Sequence, residues 1–400
     1  MTTIIQNILN VLFLLTSFSL IFILVFGIVK GLIFIISLIR GKHPKISQES
    51  IFRTVYHLSL MILGLVLIVI LSQRTVSTPK IEGENAISEL REVEFGGRKQ
   101  WISIRGEDKN APVLLFLAGG PGGTQLAAVR HELYELEKHF VVVGWDQPGS
   151  GKSYRSGKDM THDDYVEDGI ALTDYLIETF NVNDIFLVGE SWGSYLGIKL
   201  VEKAPEKYAG LITTGQMVNF LETELLDYAK AIELTYRNGD IDLMTNLIAN
   251  GKPPYYGENV TFKIALYLGV LNEEMSRNPE IHNAGYNTFR DLFSPEYGIL
   301  DKINFFRGLL YTFNDVYQQL YEMDLCKTTP SIDVPVLMLI GRHDLNAPPQ
   351  LAEEYFEMLK APFKSWVWFD HSGHNPWMNE TDLFVKEIMI FKNMVVMTNH

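Results

Sequence analysis

The run Ile185-Phe186-Leu187-Val188 leads straight into Gly189-Glu190-Ser191-Trp192-Gly193, and it constrains the fold more than any other segment. Four apolar residues of strand type meet Gly-X-Ser-X-Gly, and a helix-forming segment begins at Ser194. A serine in this frame sits on a sharp strand-to-helix turn, which is strained and needs small residues on both sides. The frame predicts a buried strand, a tight turn and a helix packed behind it. Ser191 is then a candidate nucleophile, provided that a base and an acid follow in the chain. Without them the motif is only a glycine-rich turn with a surface serine.

The flanking sequence repeats the alternation. Val113–Ala118, Phe140–Trp145, Gly210–Thr214, Val336–Ile340 and Trp366–Phe369 are apolar runs of strand length. Tyr165–Thr179, Glu353–Leu359 and Leu383–Phe391 have helical spacing, and Glu92–Ile104 reads as an edge hairpin. Strands alternating with helices predict an α/β fold, a mostly parallel sheet with helices on both faces. Its expected extent is 91–215 and 333–400. Residues 216–332 break the rhythm with apolar helical stretches and Pro253, Pro254, Pro279 and Pro295. They are expected to form a helical cap insertion. The cap carries 16 acidic and 9 basic residues. Such a surface is either simply solvated or a lid whose carboxylates hold a cationic group of the substrate.

The first 75 residues belong to another environment. Ile8–Val29 is almost wholly apolar, the run resumes after Lys30 to Ile39, and a second run covers Leu58–Leu71. These lengths predict two transmembrane helices, about 8–29 or 8–39 and 55–72, followed by a linker over 76–90. A cleaved signal peptide fits poorly, because no basic segment precedes the first run and a second run follows it. Arg40, Lys42, Lys45 and Arg53 lie between the runs. The positive-inside rule puts that loop in the cytoplasm and the catalytic domain outside, in a multi-pass protein of the cell membrane. The lipid bilayer is thus an expected partner. A net charge of −14 argues against nucleic acid. The single cysteine, Cys326, rules out an internal disulfide.

A serine nucleophile needs a base, and the base needs a partner that orients it. On a sheet of this kind the chain order is Ser, then Asp or Glu, then His. His343, His371, His374 and His400 follow the cap. His374 lies in Phe369-Asp-His-Ser-Gly-His-Asn-Pro, after the last expected strand, and is the first choice of base. His371 is its rival. Asp344, at the end of the loop after Val336–Ile340, is the expected orienting acid, with Asp370 as the alternative. The oxyanion formed on attack needs two converging N–H donors. Trp192 supplies one. Gly120, or alternatively Gly119, supplies the other from Ala118-Gly-Gly-Pro-Gly-Gly. The run Gly149-Ser-Gly-Lys-Ser looks like a phosphate loop, but the required first glycine is Asp146, so the register fails. No paired His or Cys spacing points to a metal, and no cofactor is expected.

Together these residues carry a resemblance. From about 90 to 395 the chain resembles the α/β-hydrolases of the prolyl aminopeptidase (proline iminopeptidase) branch. The shared pieces are Gly119-Gly-Pro-Gly-Gly, Trp145-Asp-Gln-Pro-Gly-Ser-Gly-Lys-Ser, Gly-Glu-Ser191-Trp-Gly-Ser, Gly341-Arg-His-Asp344 and Ser-Gly-His374. The resemblance implies a serine exopeptidase that releases an N-terminal residue, often proline, through an acyl-enzyme. It also implies a helical cap whose carboxylates bind the substrate's free amino group. The chain departs from the pattern at Ala118, where the family usually has His, and at Glu190, where it often has Gly. Glu222, Glu224, Glu273 and Glu274 are the candidates for the amino-binding carboxylates. The expected substrate is a small peptide or an acyl compound. The alternatives are an ester or lipid hydrolase on the same triad, or a non-catalytic surface binding protein.

Overall fold

The computed structural model describes residues 2–41, 47–283 and 285–398, in two units. Lys42 and Lys45 of the basic loop, and His400, lie outside the described residues.

One unit comprises the N-terminal residues to Pro79 together with Leu292–Lys302. Helix α1 (Thr2–Ile39) and helix α2 (Gln48–Arg74) form an antiparallel hairpin, with Lys30 Nζ near Ser50 Oγ (3.1 Å) and Gln6 beside Ser72. Both are longer than the apolar runs alone predict, because the hydroxyl and amide residues at their ends continue the helical hydrogen bonding. Their apolar side chains face outward: Phe18, Phe22 and Leu63 are each about two-thirds or more exposed. Two helices so long and so apolar are able to cross a bilayer. At one end of the hairpin Gln6 Nε2 donates to Ser72 O (2.7 Å) and Thr75 Oγ1 (2.9 Å), and Ser72 Oγ donates back to Gln6 Oε1 (3.0 Å). Ile299 N–H donates to Ser72 Oγ (3.1 Å), and Gln73 Nε2 to Asp301 Oδ1 (3.0 Å).

The other unit, Lys80–Asp291 and Ile303–His400, is built on an eight-stranded sheet. The strands are β1 (Ile87–Phe95), β2 (Arg98–Gly106), β3 (Val113–Leu117), β4 (Val141–Asp146), β5 (Ile185–Glu190), β6 (Tyr208–Thr214), β7 (Val336–Gly341) and β8 (Lys364–Phe369). Their order is β1-β2-β4-β3-β5-β6-β7-β8. β1 and β2 pair antiparallel, as do β2 and β4, and the rest pair parallel. β1 begins inside the expected linker, because Ile87–Arg91 find partners across the hairpin in Ile102–Gly106. The inner strands are apolar along most of their length because both faces are covered, with polar residues such as Asp146, Glu190 and Thr214 at their C-terminal ends. Leu115, Val143, Leu187 and Met338 pack to one side with Tyr165, Leu172 and Leu196. Leu114, Phe116, Val188 and Leu339 pack to the other with Phe369, Trp377 and Phe384. Each such side chain stabilises the fold by roughly 1.5–3 kcal/mol.

The covering helices of the sheet are α3 (Leu126–Glu132), α4 (His162–Phe180), α5 (Trp192–Lys203), and, after the cap, α12 (Pro349–Met358), α13 (Pro376–Asn379) and α14 (Thr381–Thr398). Between β6 and β7 the chain forms α6 (Phe220–Arg237), α7 (Ile241–Asn250), α8 (Val260–Arg277), α9 (Thr288–Leu292), α10 (Ile299–Asp315) and α11 (Leu325–Thr328). The sequence predicts one helix over Phe305–Leu320. The chain instead ends α10 at Asp315 and continues as a 3₁₀ turn at Tyr317–Glu322.

Candidate active site

β5 ends at Glu190 and α5 begins at Trp192, so Ser191 is the whole of the turn between them. Its φ of 54° is rare for a residue with a side chain and costs on the order of 1–3 kcal/mol. The strain is held by neighbours on both sides. Ser191 N–H donates to Thr214 O (3.0 Å), and Ser194 Oγ donates to Ser191 O (2.6 Å). A Cβ at Gly189 would strike the Gly193 carbonyl, and one at Gly193 would strike Leu117 O. The two glycines of the motif are therefore required by backbone crowding.

His374 and Asp344 come together from the loops after β8 and β7. His374 Nδ1 lies 2.9 Å from Asp344 Oδ2 and 3.1 Å from Oδ1, and both residues are buried. Asp344 Oδ1 also accepts from the N–H groups of Asn346 (2.8 Å) and Ala347 (2.9 Å), which fixes the carboxylate. Gly215, with φ of 53°, leaves room for the ring: a Cβ there would sit 2.8 Å from His374 Cε1. Burial alone would lower the imidazole pKa. The charge and hydrogen bond of Asp344 and the charge of Glu190 outweigh burial and raise it to about 9. The rivals are engaged elsewhere. His371 Nδ1 meets Glu280 O at 3.0 Å and its ring stacks on His282 at 4.1 Å. Asp370 is exposed and pairs with Arg342 at 3.0 Å.

The glycine loop after β3 lies beside the elbow. Gly119 N–H donates to Glu190 Oε2 (2.8 Å), and a Cβ at Gly119 would lie 3.3 Å from Ser191 Cβ. Gly120 has φ of 142°, and a Cβ there would crowd Gly122 N at 2.8 Å. Trp192 opens α5, where the first N–H groups have no acceptor within the helix. Its indole Nε1 donates to Gln147 Oε1 (3.1 Å), and Gln147 Nε2 donates to Ala118 O (2.9 Å), linking elbow and loop. A cavity of about 310 Å³ opens beside His374, lined by Asn272, Met275, Asn283, Tyr286 and Asn375 among others.

The four cap glutamates separate sharply. Glu222 is exposed in the first turn of α6; Glu273 pairs with Arg277, and Glu274 with Arg237. Glu224 is buried and accepts from the hydroxyls of Tyr267 and Tyr317, the latter at 2.6 Å. Burial raises its pKa to about 8 against the opposing Tyr317 bond. One turn on, Asp227 is also buried, and its Oδ1 has no hydrogen-bond partner among the described residues. Burial, then the charges of Glu224 and Asp344, push its pKa up. The sequence reading missed Asp227. The signal available was its i+3 spacing from Glu224, which puts both carboxylates on one helix face. Among the described residues no group of His, Cys, Asp and Glu has the geometry of a metal site.

The pattern of the alpha/beta hydrolase fold family matches residues 112–381. The chain is 32% identical over 316 residues to "Probable aminopeptidase YbaC" of Bacillus subtilis (strain 168), covering 77% of this chain and 97% of that protein. It is 24% identical over 321 residues to a proline iminopeptidase of Clostridioides difficile (strain 630), covering 75% and 96%. Among solved structures, a proline iminopeptidase of Mycobacterium smegmatis aligns with a TM-score of 0.55 at 18% identity, over 78% of this chain and 100% of that one. That last likeness is one of fold.

Proposed function

The chain belongs to the α/β-hydrolase family, and on that premise we propose that it is a membrane-anchored serine aminopeptidase of the proline iminopeptidase type. The observation that carries the reading is the His374–Asp344 couple, buried and fixed by two further N–H donors, on the same sheet end as the strained Ser191 elbow. Ser191 Oγ attacks the carbonyl carbon of the first peptide bond while His374 Nε2 takes its proton. Asp344 holds the Nδ1–H tautomer and stabilises the imidazolium. The N–H groups of Trp192 and Gly120 receive the charge that develops on the carbonyl oxygen. His374 then passes the proton to the leaving amine, and a water repeats the sequence on the acyl-enzyme. In this scheme Glu224 and Asp227 receive the substrate's α-ammonium, because two buried carboxylates with one unpartnered oxygen call for a cation.

Peptides with free and acetylated N-termini test the substrate class. Charge-assisted hydrogen bonds contribute roughly 1.5–3 kcal/mol each, so acetylation is expected to lower kcat/KM by about 10² or more. Equal cleavage of both would replace this reading with an ester or lipid hydrolase, a chemistry that the two apolar helices also suit. The proposed orientation puts the 40–54 loop in the cytoplasm and the sheet-bearing domain outside. In a Cys326→Ser background, a cysteine at the exposed Gln48 should resist a membrane-impermeant thiol reagent in intact cells, and one at the exposed Gly83 should react. The opposite pattern reverses the orientation.

A further inference from the structure

We propose that Glu190 is a positioning residue that fastens the glycine loop to the elbow and sets a second carboxylate against the Nε2 side of His374; the assignment rests on the serine-hydrolase reading. Glu190 is the last residue of β5, buried, and directly precedes Ser191. Its Oε2 accepts from Gly119 N–H at 2.8 Å and from Gln125 Nε2 at 3.2 Å. Tyr286, from the segment between α8 and α9, lines the same cavity as His374. Its Oε1 lies 3.9 Å from His374 Nε2. One side chain thus joins the elbow, the glycine loop, the start of α3 and the histidine loop.

Two consequences follow from the geometry. First, the N–H of Gly119 is occupied by Glu190, so the donor this loop offers to an oxyanion is that of Gly120. Second, the imidazole stands between two carboxylates, Asp344 on Nδ1 and Glu190 on Nε2. Attack by Ser191 converts the ring to an imidazolium, and an anion on each side favours that form. The titratable groups around the pair are Asp344, Tyr286 and, through Asp344, Asp227. Burial raises the Glu190 pKa while the His374 charge opposes it. The two groups therefore contend for a proton across 3.9 Å and titrate as a pair.

Two variants of the full-length protein separate the charge from the bond. The readout is the rate of Ser191 labelling by a fluorophosphonate as a function of pH, with thermal melting to show that each variant is folded. Glu190→Gln keeps an oxygen for Gly119 N–H but has no charge. The midpoint of its acid limb should fall by about one pH unit, as expected for removal of an anion within 4–6 Å. Glu190→Asp keeps the charge but falls short of Gly119. Its midpoint should stay near the parent's, while its plateau rate drops about tenfold or more, because the oxyanion donor is displaced. A parent midpoint in folded Glu190→Gln, or a parent plateau in folded Glu190→Asp, overturns the proposal. A parent protein that does not label at Ser191 overturns the serine-hydrolase reading instead.

Discussion

Asp344 and Asp227 are both buried aspartates of the same unit, and their surroundings differ completely. Asp344 has two backbone N–H donors and the His374 ring around its carboxylate. Asp227 has an unpartnered oxygen and, as its charged neighbours, Glu224 and Asp344. Burying a carboxylate without a partner is costly, and a like charge beside it adds to the cost. The difference separates two kinds of site. Around Asp344 the protein supplies every partner, so the couple is ready before any substrate arrives. Around Asp227 one oxygen has no partner among the described residues, and in the proposed function the substrate's ammonium takes that place.

The most severe break is at the elbow. Ser191→Ala should lower kcat by roughly 10⁴–10⁶, because the members of a triad act as a unit. Full turnover in this variant would remove the chemistry that Asp344 is thought to serve. Asp344→Asn comes next. It should leave the melting temperature close to the parent's and lower kcat on the order of 10³–10⁴, through the wrong imidazole tautomer. A loss of less than tenfold would make Asp344 a structural residue. The smallest and most selective effect belongs to the other carboxylate pair. Asp227→Asn and Glu224→Gln should each lower kcat/KM for a free-amine peptide by about 10–10², the size of one charge-assisted hydrogen bond, and leave a simple ester within about threefold. Equal losses on peptide and ester would erase the contrast between the two aspartates.

Much of this was legible in the sequence, for identifiable reasons. The inner strands are continuous apolar runs, so β3, β4, β5 and β7 appear within a residue or two of where the run lengths put them. The elbow was visible because backbone crowding admits only glycine at 189 and 193. The cap was harder. Glu222, Glu224, Glu273 and Glu274 are alike as letters. Only packing shows that Glu224 points into a nest of tyrosines while the others face solvent or an arginine. Tyr267, Tyr317 and Glu224 are separated by tens of residues, and no local pattern joins them. The start of β1 was hidden for a similar reason, since a strand that begins within a polar linker is defined by its partner and not by its own composition.

The polar clasp at the end of the hairpin bears on how the chain is made. Ser72 Oγ accepts from Ile299 N–H, a partner 227 residues later. At about 5–20 residues per second, the ribosome needs roughly 10–45 s to deliver it. The Gln6–Ser72 pair needs no residue of that late segment: the Gln6 amide donates to the Ser72 carbonyl oxygen (2.7 Å) and accepts from the Ser72 hydroxyl (3.0 Å). One end of the hairpin thus holds polar partners within its own two helices, and Ile299 adds a further bond to the clasp. Synthesis of the hairpin and synthesis of the segment it receives are separated in time, and the Gln6–Ser72 pair belongs wholly to the earlier part.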